Sequence, residues 1–430
     1  MRSSKQPARA SSGRYVSRLT SGTLAVIMAG GRGERLRPLT DERSKPGVPF
    51  GANYRIIDFT LSNVWNSGLR RIYVLTQYKS YSLDKHLLKG WQIFNHEAGE
   101  FLYGIPPQHR VGEMWYRGTA DAIYQNIYLI DREQPDYVLI LSGDHIYRMD
   151  YSTLMVLHTR RKARLTLAAV VVPRSEAHEF GILEVDEQGW VVGFQEKPSD
   201  PKTIPGKPDW CLVNMGVYVF NRESLVSELL KDAGDPRSAH DFGKNVIPAM
   251  VREGGVLAYP FLDHETEQPR YWRDIGTLDT YYAASMDLIR PVPPFSLYDR
   301  EWPIRTWMAP APPAKTVHNH FDGASPLGQL IGSIVGGGTI ISGGTAERSI
   351  LGRNVYLDAG CHVVDSVIMD NARIGKRAAV HRAIVDKGAE IPDGMHIGWD
   401  READHRLFKV TEAGVVVVPK DWRAGVAATA

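Results

Sequence analysis

The sequence is short of cysteine, of long apolar stretches and of charge of one sign, and each shortage excludes a class of protein. Its 430 residues include two cysteines, Cys211 and Cys361, too few for a disulfide framework or a four-thiolate zinc site. The apolar stretches Leu167–Val172 and Val415–Val418 are far shorter than the ~18 residues of a membrane-spanning helix. The 51 basic and 49 acidic residues nearly cancel, unlike the concentrated basic excess of nucleic-acid-binding proteins. We therefore expect a protein of a reducing compartment, with neither a membrane nor a nucleic acid as partner.

Residues 1–22 differ in composition from the rest of the chain. No acidic residue precedes Glu34, and the stretch combines serines with five basic residues, which are Arg2, Lys5, Arg9, Arg14 and Arg18. It has no apolar segment of the kind that secretory signals carry. We predict a disordered basic leader, although an organellar transit peptide has the same composition. The expected location is the bacterial cytoplasm, with a plastid as the alternative if the leader is cleaved.

From residue 23 onward, apolar strands alternate with a helical pattern. Leu24–Met28, Ile72–Thr76, Tyr137–Ser142 and Leu165–Val172 are predicted strands, and Thr119–Asp131 has the apolar spacing of a helix. This alternation predicts an α/β core whose sheet is buried on both faces. In such sheets ligands bind beyond the carboxyl ends of the strands, so the residues that follow each strand are the candidates for a site.

Two proline-rich stretches, Pro291–Pro294 and Ala309–Pro313, mark a change in the pattern. They predict a semi-rigid linker over residues 291–325, which ends an α/β domain at residues 23–290. Beyond the linker the helical signal fades and glycines recur. We therefore predict a second domain of a different architecture.

Residues 326–420 carry a six-residue apolar repeat. Its members are Val355, Cys361, Val367, Ala379, Val385, Ile391 and Ile397. Arg373 interrupts the series, and we expect Ile374, one position later, to point inward instead. Such a repeat, with turn residues between its members, predicts a β-helix of stacked coils followed by a tail at residues 421–430. An irregular β domain is the alternative.

The first predicted strand leads into a glycine-rich loop that contains Gly30, Gly31 and Gly33. The backbone N–H groups of such a loop can close on an anion, and Arg35 adds a forked donor suited to phosphate. Lys45 follows and can bring another cation to the same loop. The loop lacks the third glycine of a dinucleotide fingerprint and the Gly-Lys-Ser/Thr of a Walker loop. A tight turn between strand and helix is the alternative interpretation.

Several motifs, in order along the chain, resemble those of sugar-phosphate nucleotidyltransferases and, more closely, those of the ADP-glucose pyrophosphorylase family. The resemblance runs from about residue 22 to about residue 420. The motifs that carry it are Gly30–Leu36, Lys45-Pro46, Phe50-Gly51, Tyr54–Phe59, Trp115–Ala122, Ser142–Tyr147, Glu196–Pro198, His240–Lys244, Tyr271–Thr277, Trp302–Arg305 and Pro312–Lys315. The resemblance implies a Rossmann-like nucleotidyltransferase domain with a mixed, mostly parallel sheet, followed by a C-terminal left-handed parallel β-helix.

Family members transfer the adenylyl group of ATP to glucose 1-phosphate, which gives ADP-glucose and pyrophosphate at the committed step of glycogen synthesis. The resemblance therefore implies ATP and glucose 1-phosphate as substrates, Mg²⁺ as cofactor, anionic metabolites as allosteric effectors and a homotetramer. Because two highly charged anions must meet in line, neutralisation of charge and alignment are the main requirements of this reaction.

The resemblance also assigns roles to individual residues. Asp144 follows the predicted strand Tyr137–Ser142, at the expected place of a site, and by resemblance it is a metal ligand together with Asp274. Lys197 would hold the sugar phosphate and Glu196 the ring hydroxyls, whereas Asn214 stands where many members have serine. The implied catalytic residues are Arg35, Lys45, Asp144 and Asp274, and the implied substrate-binding residues are Gly30, Gly31, Gly33, Tyr116, Gly181, Glu196, Lys197 and Asn214.

Arg43, Arg55 and Arg132 match arginines of the family's effector region. Two positions depart from the best-known bacterial pattern. Glu42 stands where a lysine would pair with fructose 1,6-bisphosphate, and Pro49 stands where a histidine would contact AMP. A carboxylate at an anion site is unfavourable by the sign of its charge alone. We therefore expect fructose 6-phosphate or pyruvate, rather than fructose 1,6-bisphosphate, to be the main activator.

Three other functions remain open at this stage. A uridylyl- or thymidylyltransferase would share the same loop, since the contacts that select the base are not visible in the sequence. A bifunctional acetyltransferase would explain the β-helix, but no equivalent acceptor site is present. A catalytically silent regulatory subunit would bind effectors only, and the retention of Arg35, Lys45, Asp144, Lys197 and Asp274 argues against it.

Overall fold

The computed structural model describes residues 8–108, 115–263, 265–320 and 326–425. These residues form an α/β domain and a β-helix, joined by an extended segment. No helix in the described ranges is long and apolar enough to cross a lipid bilayer.

The α/β domain contains thirteen strands and ten α-helices among the described residues. The strands are β1 (Thr23–Ala29), β2 (Pro49–Phe50), β3 (Tyr54–Arg55), β4 (Arg71–Thr76), β5 (Phe101–Ile105), β6 (Tyr137–Ser142), β7 (His145–Tyr147), β8 (Leu165–Pro173), β9 (Gly181–Val185), β10 (Val191–Glu196), β11 (Trp210–Asn221), β12 (Val256–Pro260) and β13 (Trp272–Asp274). The helices are α1 (Ala8–Ser21), α2 (Ile56–Asn66), α3 (Tyr81–Gly90), α4 (Thr119–Tyr124), α5 (Ile127–Glu133), α6 (Tyr151–Arg161), α7 (Arg174–Ala177), α8 (Arg222–Ala233), α9 (Ile247–Glu253) and α10 (Leu278–Asp287). Short 3₁₀ turns lie at Glu34–Leu36, Lys45–Gly47 and His96–Ala98, and a π-helical turn lies at Phe242–Val246.

Nine strands form one central sheet in the order β10-β9-β11-β6-β1-β4-β5, with β8 beside β11 and β12 beside β8. The strands β6, β1, β4 and β5 run parallel to one another, and β11 is antiparallel to β6. The predicted strand Tyr137–Ser142 has the same bounds in the structure, and the other predicted strands differ by one or two residues. The predicted α/β fold with a mixed sheet is confirmed.

Both faces of the sheet are covered by helices, as the uninterrupted apolar strands predict. Ala25 and Ile27 of β1 pack in one apolar cluster with side chains of α2, α3 and α6. Leu24 and Val26, on the opposite face, pack in a second cluster with side chains of α4, α5, α8 and α9. The carboxyl ends of the parallel strands therefore form the edge of the domain at which a ligand can bind.

The helix predicted over Thr119–Asp131 is divided into α4 and α5. The Asn126 side-chain amide donates to the Ala122 carbonyl at 2.8 Å and to the Tyr116 hydroxyl at 2.9 Å. Side-chain bonds of this kind compete with the backbone bonds of a helix, and Asn favours such local alternatives. The prediction of one continuous helix is therefore wrong at Gln125 and Asn126.

The predicted disorder of residues 1–22 is wrong for residues 8–21, which form α1. Leu19 and Thr20 are buried, and the Tyr15 hydroxyl lies 2.8 Å from the Thr159 hydroxyl of α6. The helix was not predictable from composition, because it is anchored by one buried leucine and one tyrosine hydrogen bond rather than by a periodic apolar face. Residues 1–7 lie outside the described residues.

The segment that follows α10 contains no helix or strand between residues 288 and 314. It packs on α2: the Trp302 indole donates to the Asn63 side chain at 2.9 Å, and the Arg305 amide donates to the Ser62 hydroxyl at 2.8 Å. The predicted linker, residues 291–325, extends too far toward the C-terminus, because Lys315–Val317 pairs with Ile340–Ser342 as part of the second domain.

The second domain is a left-handed parallel β-helix. Its strands are β14 (Lys315–Val317), β15 (Gln329–Ile331), β16 (Ile334–Val335), β17 (Ile340–Ser342), β18 (Thr345–Glu347), β19 (Ile350–Leu351), β20 (Tyr356–Leu357), β21 (His362–Val364), β22 (Val367–Ile368), β23 (Arg373–Ile374), β24 (Ala379–His381), β25 (Ala383–Val385), β26 (Glu390–Ile391), β27 (His396–Ile397), β28 (Lys409–Val410) and β29 (Val416–Val418), with one helix, α11 (Arg401–Leu407). From β14 to β27, strands three apart in the chain stack in parallel, which produces three sheets along the axis; β29 then pairs with β25 in parallel, and β28 joins β29 antiparallel. The irregular β domain is thereby excluded.

Early coils of this β-helix advance by 16 residues, as from Ile340 to Tyr356, and those from Thr345 to Ile397 advance by 17, as from Val363 to its partner Val380. A strict six-residue repeat with three strands per coil would require 18 residues per coil. The predicted series therefore shifts by one position within a coil of 17. Ile374 is fully buried, as predicted, but Ala379 is only partly buried and Val380 takes the inward place. The shift explains the apparent interruption at Arg373.

The predicted tail at residues 421–430 begins too early. The Trp422 ring packs on Phe408 with centroids 5.0 Å apart, and the Trp422 carbonyl accepts a hydrogen bond from the Glu390 amide at 2.8 Å. These contacts attach residues 421–423 to the β-helix. Residues 426–430 lie outside the described residues.

One apolar cluster spans both domains. It joins Leu36, Phe50 and Tyr281 of the α/β domain to Ile350 and Ile384 of the β-helix. The two domains therefore share a core rather than only touching at their surfaces.

Candidate active site

Three loops meet at the carboxyl edge of the central sheet. Met28 of β1 pairs with Ser142 of β6, and the Gly143 amide donates to the Met28 carbonyl at 3.0 Å. A Cβ on Gly30 would lie 2.9 Å from the Cβ of Gln77, which follows β4. The glycine-rich loop and the loop that carries Asp144 are therefore neighbours, at the edge that the sequence predicts.

The glycine-rich loop contains one position that requires glycine for its conformation. Gly33 has φ of 62°, in the left-handed region, and a Cβ there would lie 3.1 Å from the Cβ of Lys45. The Thr40 hydroxyl donates to the Gly33 carbonyl at 2.8 Å and fixes the turn. Gly31, by contrast, has no described atom within 4 Å of an added Cβ, so its backbone faces open space.

A pair of three-residue strands brings Asp274 to Asp144. In this ribbon β13 runs antiparallel to β7, and Asp274 is paired with His145. The two carboxylates converge on the Lys45 ammonium, whose Nζ lies 2.6 Å from Asp144 Oδ2 and 3.1 Å from Asp274 Oδ1. These two carboxylates are about 130 residues apart in the chain, and the structure shows them side by side.

The charges in this cluster support one another. Burial opposes the charged form of Lys45, but Asp144 and Asp274 outweigh it and raise its pKa above the ordinary value. Burial likewise opposes the carboxylate of Asp144, but Lys45, followed by His145, outweighs it and lowers the pKa of Asp144. At neutral pH the cluster therefore contains an ammonium and an ionised Asp144.

The same residues fit a divalent cation. Ligand atoms of Asp144, His145 and Asp274 all lie within 4.8 Å of one another. Two carboxylate oxygens already converge on a single cation, and oxygen donors of this type are those that Mg²⁺ prefers. The donor set is therefore suited to Mg²⁺ with phosphate oxygens or water as its remaining ligands.

Arg35 lies at the rim of this cluster. A Cβ on Gly276 would lie 3.2 Å from both Arg35 Nη2 and Asp274 Oδ2, so the guanidinium lies close to the carboxylate pair. Its Nη1 donates to Glu179 Oε2 at 2.6 Å, and both side chains are about half exposed. Glu179 had no role in the sequence analysis.

Gly181, Glu196 and Lys197 lie together on the adjoining hairpin of β9 and β10. A Cβ on Gly181 would lie 2.5 Å from the Phe194 ring and 3.0 Å from Glu196 Oε2, so glycine is required by close packing. Burial, followed by the negative charge of Asp241, raises the pKa of Glu196. Lys197 is exposed and has φ of 47°.

Asn214 lies where strand β11 is irregular. Its amide nitrogen donates to the Tyr218 hydroxyl at 2.8 Å, and its Oδ1 accepts from the Gly216 amide at 3.1 Å. The register of β11 against β8 shifts between Asn214 and Tyr218. Asn214 thus stabilises this bulge, next to Gly216, whose added Cβ would contact His145 at 3.3 Å.

Tyr116 lines a cleft of about 400 Å³ beside the glycine-rich loop, together with Gly30, Gly31, Thr119 and Asp241. The Tyr116 hydroxyl accepts a hydrogen bond from Asn126, and burial raises its pKa. The cleft therefore joins the loop to Asp241, the residue whose charge acts on Glu196.

Several residues of this cleft had no role predicted from the sequence. Gln77 and Tyr78 follow β4, and the Arg32 guanidinium lies 4.9 Å from the centre of the Tyr78 ring. Asp241 accepts hydrogen bonds from the Thr119 hydroxyl and from the Lys244 amide. Gln77 and Tyr78 could have been identified from their position after a parallel strand, and Asp241 from the His240–Lys244 motif.

Arg43 lies at the junction of the two domains and is buried. Its guanidinium makes two hydrogen bonds of 2.9 Å to the carboxylate of Asp386, which is fully buried in the β-helix. Arg43 precedes Lys45 by two residues. This ion pair therefore ties the segment that carries Lys45 to the β-helix.

Arg55 lines a second cleft between the domains, of about 380 Å³. Lys85, Lys89, Arg353 and Lys387 also line it. Burial lowers the pKa of Arg55 to about 10, and the Nη1 of Arg353 is buried with no hydrogen-bond partner among the described residues. One carboxylate, Asp370, also lines the cleft and pairs with Arg353 and Lys387, so the five cations leave an excess of positive charge that is suited to an anion. Arg43 is not among its lining residues.

The third predicted effector residue lies elsewhere. Arg132 is exposed near the end of α5, and its charge acts on Tyr73. Glu42 is exposed and pairs with Lys420, and the Pro49 carbonyl accepts a hydrogen bond from the Tyr281 hydroxyl at 2.7 Å. Within one chain the structure thus does not bring Arg132 into the cleft that Arg55 lines.

Comparison with known proteins identifies both domains. Residues 24–290 match the family described as Nucleotidyl transferase, and residues 312–418 match the GlmU-like, C-terminal hexapeptide family. Each match coincides with one domain of the structure, and the second supports a start of the β-helix domain before residue 326.

Full-length relatives are similar along almost the whole chain. The chain is 48% identical over 403 residues to "Glucose-1-phosphate adenylyltransferase 2" of Vibrio cholerae, which covers 93% of this chain and 98% of the relative. It is 47% identical to the Rhodopirellula baltica "Glucose-1-phosphate adenylyltransferase" (93% and 90%) and 48% identical to that of Teredinibacter turnerae (95% and 97%). With its two domains and its paired carboxylates beside a glycine-rich loop, the chain belongs to the glucose-1-phosphate adenylyltransferase family.

Proposed function

We propose that this chain transfers the adenylyl group of ATP to α-D-glucose 1-phosphate, which gives ADP-glucose and pyrophosphate. The observation that carries the proposal is the convergence of Asp144 and Asp274 on Lys45, at the mouth of the glycine-rich loop. The names of the full-length relatives support the choice of substrates.

The reaction requires two anions to be held in line. A phosphate oxygen of glucose 1-phosphate attacks the α-phosphorus of ATP, and the bond from that phosphorus to the oxygen of the departing pyrophosphate breaks. The attacking phosphate is ionised at neutral pH, so no side chain has to remove a proton. The enzyme therefore acts by alignment and by stabilisation of charge.

Lys45 and Arg35 supply fixed positive charge in this proposal. Lys45 remains an ammonium at neutral pH, as the direction of its pKa shift indicates, and it faces the β- and γ-phosphates. Arg35, at the rim of the same cluster, offers a forked donor to the departing pyrophosphate. Both charges gain importance as negative charge develops on the leaving group.

Asp144 and Asp274 are the proposed ligands of Mg²⁺, and their oxygens fit it as described above. When bound, Mg²⁺ would supply positive charge to phosphate oxygens. The role of Lys45 toward these carboxylates is to neutralise them until the substrate arrives, since its Nζ lies within 3.1 Å of both.

The hairpin of β9 and β10 is the proposed sugar site. Lys197 is exposed and can pair with the phosphate of glucose 1-phosphate, whereas Glu196 can accept hydrogen bonds from ring hydroxyls. Family resemblance assigns Gly181 to the sugar site, where the lack of a Cβ lets its backbone pack against the Phe194 ring and Glu196. Asn214 supports this site through the bulge of β11, because both ends of its amide already have partners.

The cleft beside Tyr116 is the proposed nucleotide site. Gly30 and Gly31 lie in its wall, and the open space at Gly31 lets backbone N–H groups reach a phosphate. Gly33 contributes through the left-handed turn that places Lys45 against the loop. Tyr116 packs beside the bound nucleotide sugar in this proposal.

The basic cleft at Arg55 is the proposed binding site for an anionic effector. Arg55 also donates to the Gly47 carbonyl at 3.1 Å, at the end of the turn that carries Lys45, so a ligand of Arg55 can act on the active site. Arg43, buried against Asp386, and Arg132, exposed near the end of α5, do not line this cleft, and their assignment as effector residues rests on family resemblance alone. Glu42 stands where a lysine would pair with fructose 1,6-bisphosphate, and it pairs instead with Lys420, so we expect fructose 6-phosphate or pyruvate to be the main activator.

Three further statements rest on family resemblance alone. The product would be consumed in glycogen or another α-glucan, the enzyme would work in the cytoplasm, and it would assemble as a homotetramer.

The test of this proposal is the Asp144→Asn variant. The purified chain is assayed for pyrophosphate release with glucose 1-phosphate and either ATP, UTP or dTTP. We expect ATP to be the preferred nucleotide and Asp144→Asn to lower kcat by at least about 100-fold, since it loses one of two carboxylate ligands. Asp186→Asn is the control, because Asp186 is exposed in the turn between β9 and β10.

Two results would contradict the proposal. An undiminished rate in Asp144→Asn would remove the mechanism, and a preference for UTP or dTTP would change the substrate. Equal thermal unfolding midpoints of the two variants would show that the loss is not a folding defect.

A further inference from the structure

Glu179 places a carboxylate at the entrance of the active site. It lies in the turn after α7, two residues before Gly181, and its Oε2 accepts a hydrogen bond of 2.6 Å from Arg35 Nη1. The Arg35 side chain is 53% exposed and that of Glu179 is 48% exposed. The contact is thus open to solvent and to an incoming ligand.

The surroundings of Glu179 are positive. The hydrogen bond from Arg35 has the largest effect in lowering its pKa, and Arg35, Lys197 and His178 also contribute through their charges. Arg35 and Lys197 are the two cations that the proposed function assigns to ATP and to glucose 1-phosphate. A carboxylate that interacts with both of them lies where the phosphates of the two substrates approach each other.

We propose that Glu179 is a positioning residue that stands in for a substrate phosphate. It holds the Arg35 guanidinium beside the carboxylate pair while the cleft is empty, and the polyphosphate of ATP displaces it. This inference rests on the proposed function, in which Arg35 faces the β- and γ-phosphates.

Because the Arg35–Glu179 pair is exposed, Glu179 is easily displaced from Arg35. Ion pairs between exposed side chains contribute little to stability, because water screens them. A polyphosphate offers Arg35 more negative charge than one carboxylate does, so ATP replaces Glu179 at small cost. Because the Arg35–Glu179 hydrogen bond must be broken before the polyphosphate can bind Arg35, the pair weakens ATP binding.

Removal of the charge of Glu179 should therefore tighten the binding of ATP. We expect Glu179→Gln to lower KM for ATP by roughly two- to fivefold, the range of an exposed charge contact. Because the effect concerns bound substrate and transition state alike, kcat/KM should rise through KM rather than through kcat. The difference from the wild type should shrink as salt is added, since salt screens exposed charges.

Glu390→Gln is a matched control. Glu390 pairs with Arg423 at 2.8 Å and has the same exposure, 48%, but it lies in the β-helix. At each salt concentration, this variant should have the same KM for ATP as the wild type.

The double variant Arg35→Gln/Glu179→Gln separates this inference from the proposed function. In the Arg35→Gln background the effect of Glu179→Gln on KM should largely disappear, because the shared partner is gone. If Arg35→Gln leaves kcat/KM unchanged, the proposed role of Arg35 fails and this inference fails with it. If Arg35→Gln is impaired but Glu179→Gln raises KM, lowers kcat or has no effect, only the role of Glu179 is refuted.

Discussion

Replacement of Asp386 by asparagine removes the counter-charge of a guanidinium that is almost fully buried between the two domains. Arg43 and Asp386 have side-chain exposures of 6% and 0%, and two hydrogen bonds of 2.9 Å join them. Removal of one partner of a buried ion pair typically costs about 3–5 kcal/mol, because the remaining charge is left without compensation. We therefore expect the Asp386→Asn chain to lose about that much free energy of unfolding.

Urea unfolding followed by tryptophan fluorescence measures this loss. For an m-value of about 3 kcal/mol per molar, the midpoint of the unfolding transition should fall by about 1–1.7 M. The matched control is Asp365→Asn in the same β-helix. Asp365 also forms two bonds with one arginine, Arg348, at 2.7 and 2.9 Å, but there the arginine is 51% and the aspartate 31% exposed. Its loss should cost no more than about 1 kcal/mol.

A second variant separates charge from packing. In Arg43→Met/Asp386→Leu both charges are replaced by apolar groups, which is often close to neutral for stability. We expect it to recover most of the midpoint lost by Asp386→Asn. The reasoning is refuted if Asp386→Asn is destabilised no more than Asp365→Asn.

Two further predictions concern pH and effectors. Burial lowers the pKa of His158 from 6.5 to about 4 in the folded protein. Since the same histidine binds a proton near pH 6.5 in the unfolded chain, the stability that neutral His158 contributes is lost as the pH falls from about 6.5 toward 4. Urea midpoints should show a loss of about 2 kcal/mol between pH 7 and pH 5 from this group, and His158→Gln should be less sensitive to pH; an equal pH dependence would contradict the assignment. In initial-rate assays of the wild type, fructose 6-phosphate or pyruvate should activate more strongly than fructose 1,6-bisphosphate, and strong activation by low fructose 1,6-bisphosphate would refute the argument from Glu42.

The strands and the edge of the sheet that carries the site were predictable from local sequence. Apolar runs such as Tyr137–Ser142 are buried on both faces, and the residue after such a strand lies at the binding edge, which identifies Asp144. Asp274 was not predictable in this way. It reaches Asp144 through the three-residue strands β7 and β13, which are too short for a periodic signal, and only the family resemblance paired the two carboxylates.

Other features depended on contacts between distant segments. The pairing of Arg43 with Asp386 joins residues 343 positions apart, and no local pattern distinguishes a buried arginine from an effector ligand. The 17-residue coil was hidden because seven positions happen to fit a six-residue series, although Val380 rather than Ala379 points inward. The helix α1 was missed because its composition is that of a disordered segment and its anchors are the buried Leu19 and Thr20 and a hydrogen bond of Tyr15, which form no periodic apolar pattern.

The apolar cluster that spans both domains has a consequence for protein engineering. Phe50 and Tyr281 pack in the same cluster as Ile350 and Ile384. A fragment that ends before residue 312 would therefore expose a large apolar surface, and it would leave Arg43 without the carboxylate of Asp386. Hybrids that exchange the β-helix between relatives should therefore also exchange the residues that face it, Arg43 and Leu36 among them. If only one side of this interdomain surface is exchanged, we expect the hybrid protein to be insoluble, even when its nucleotide site is intact.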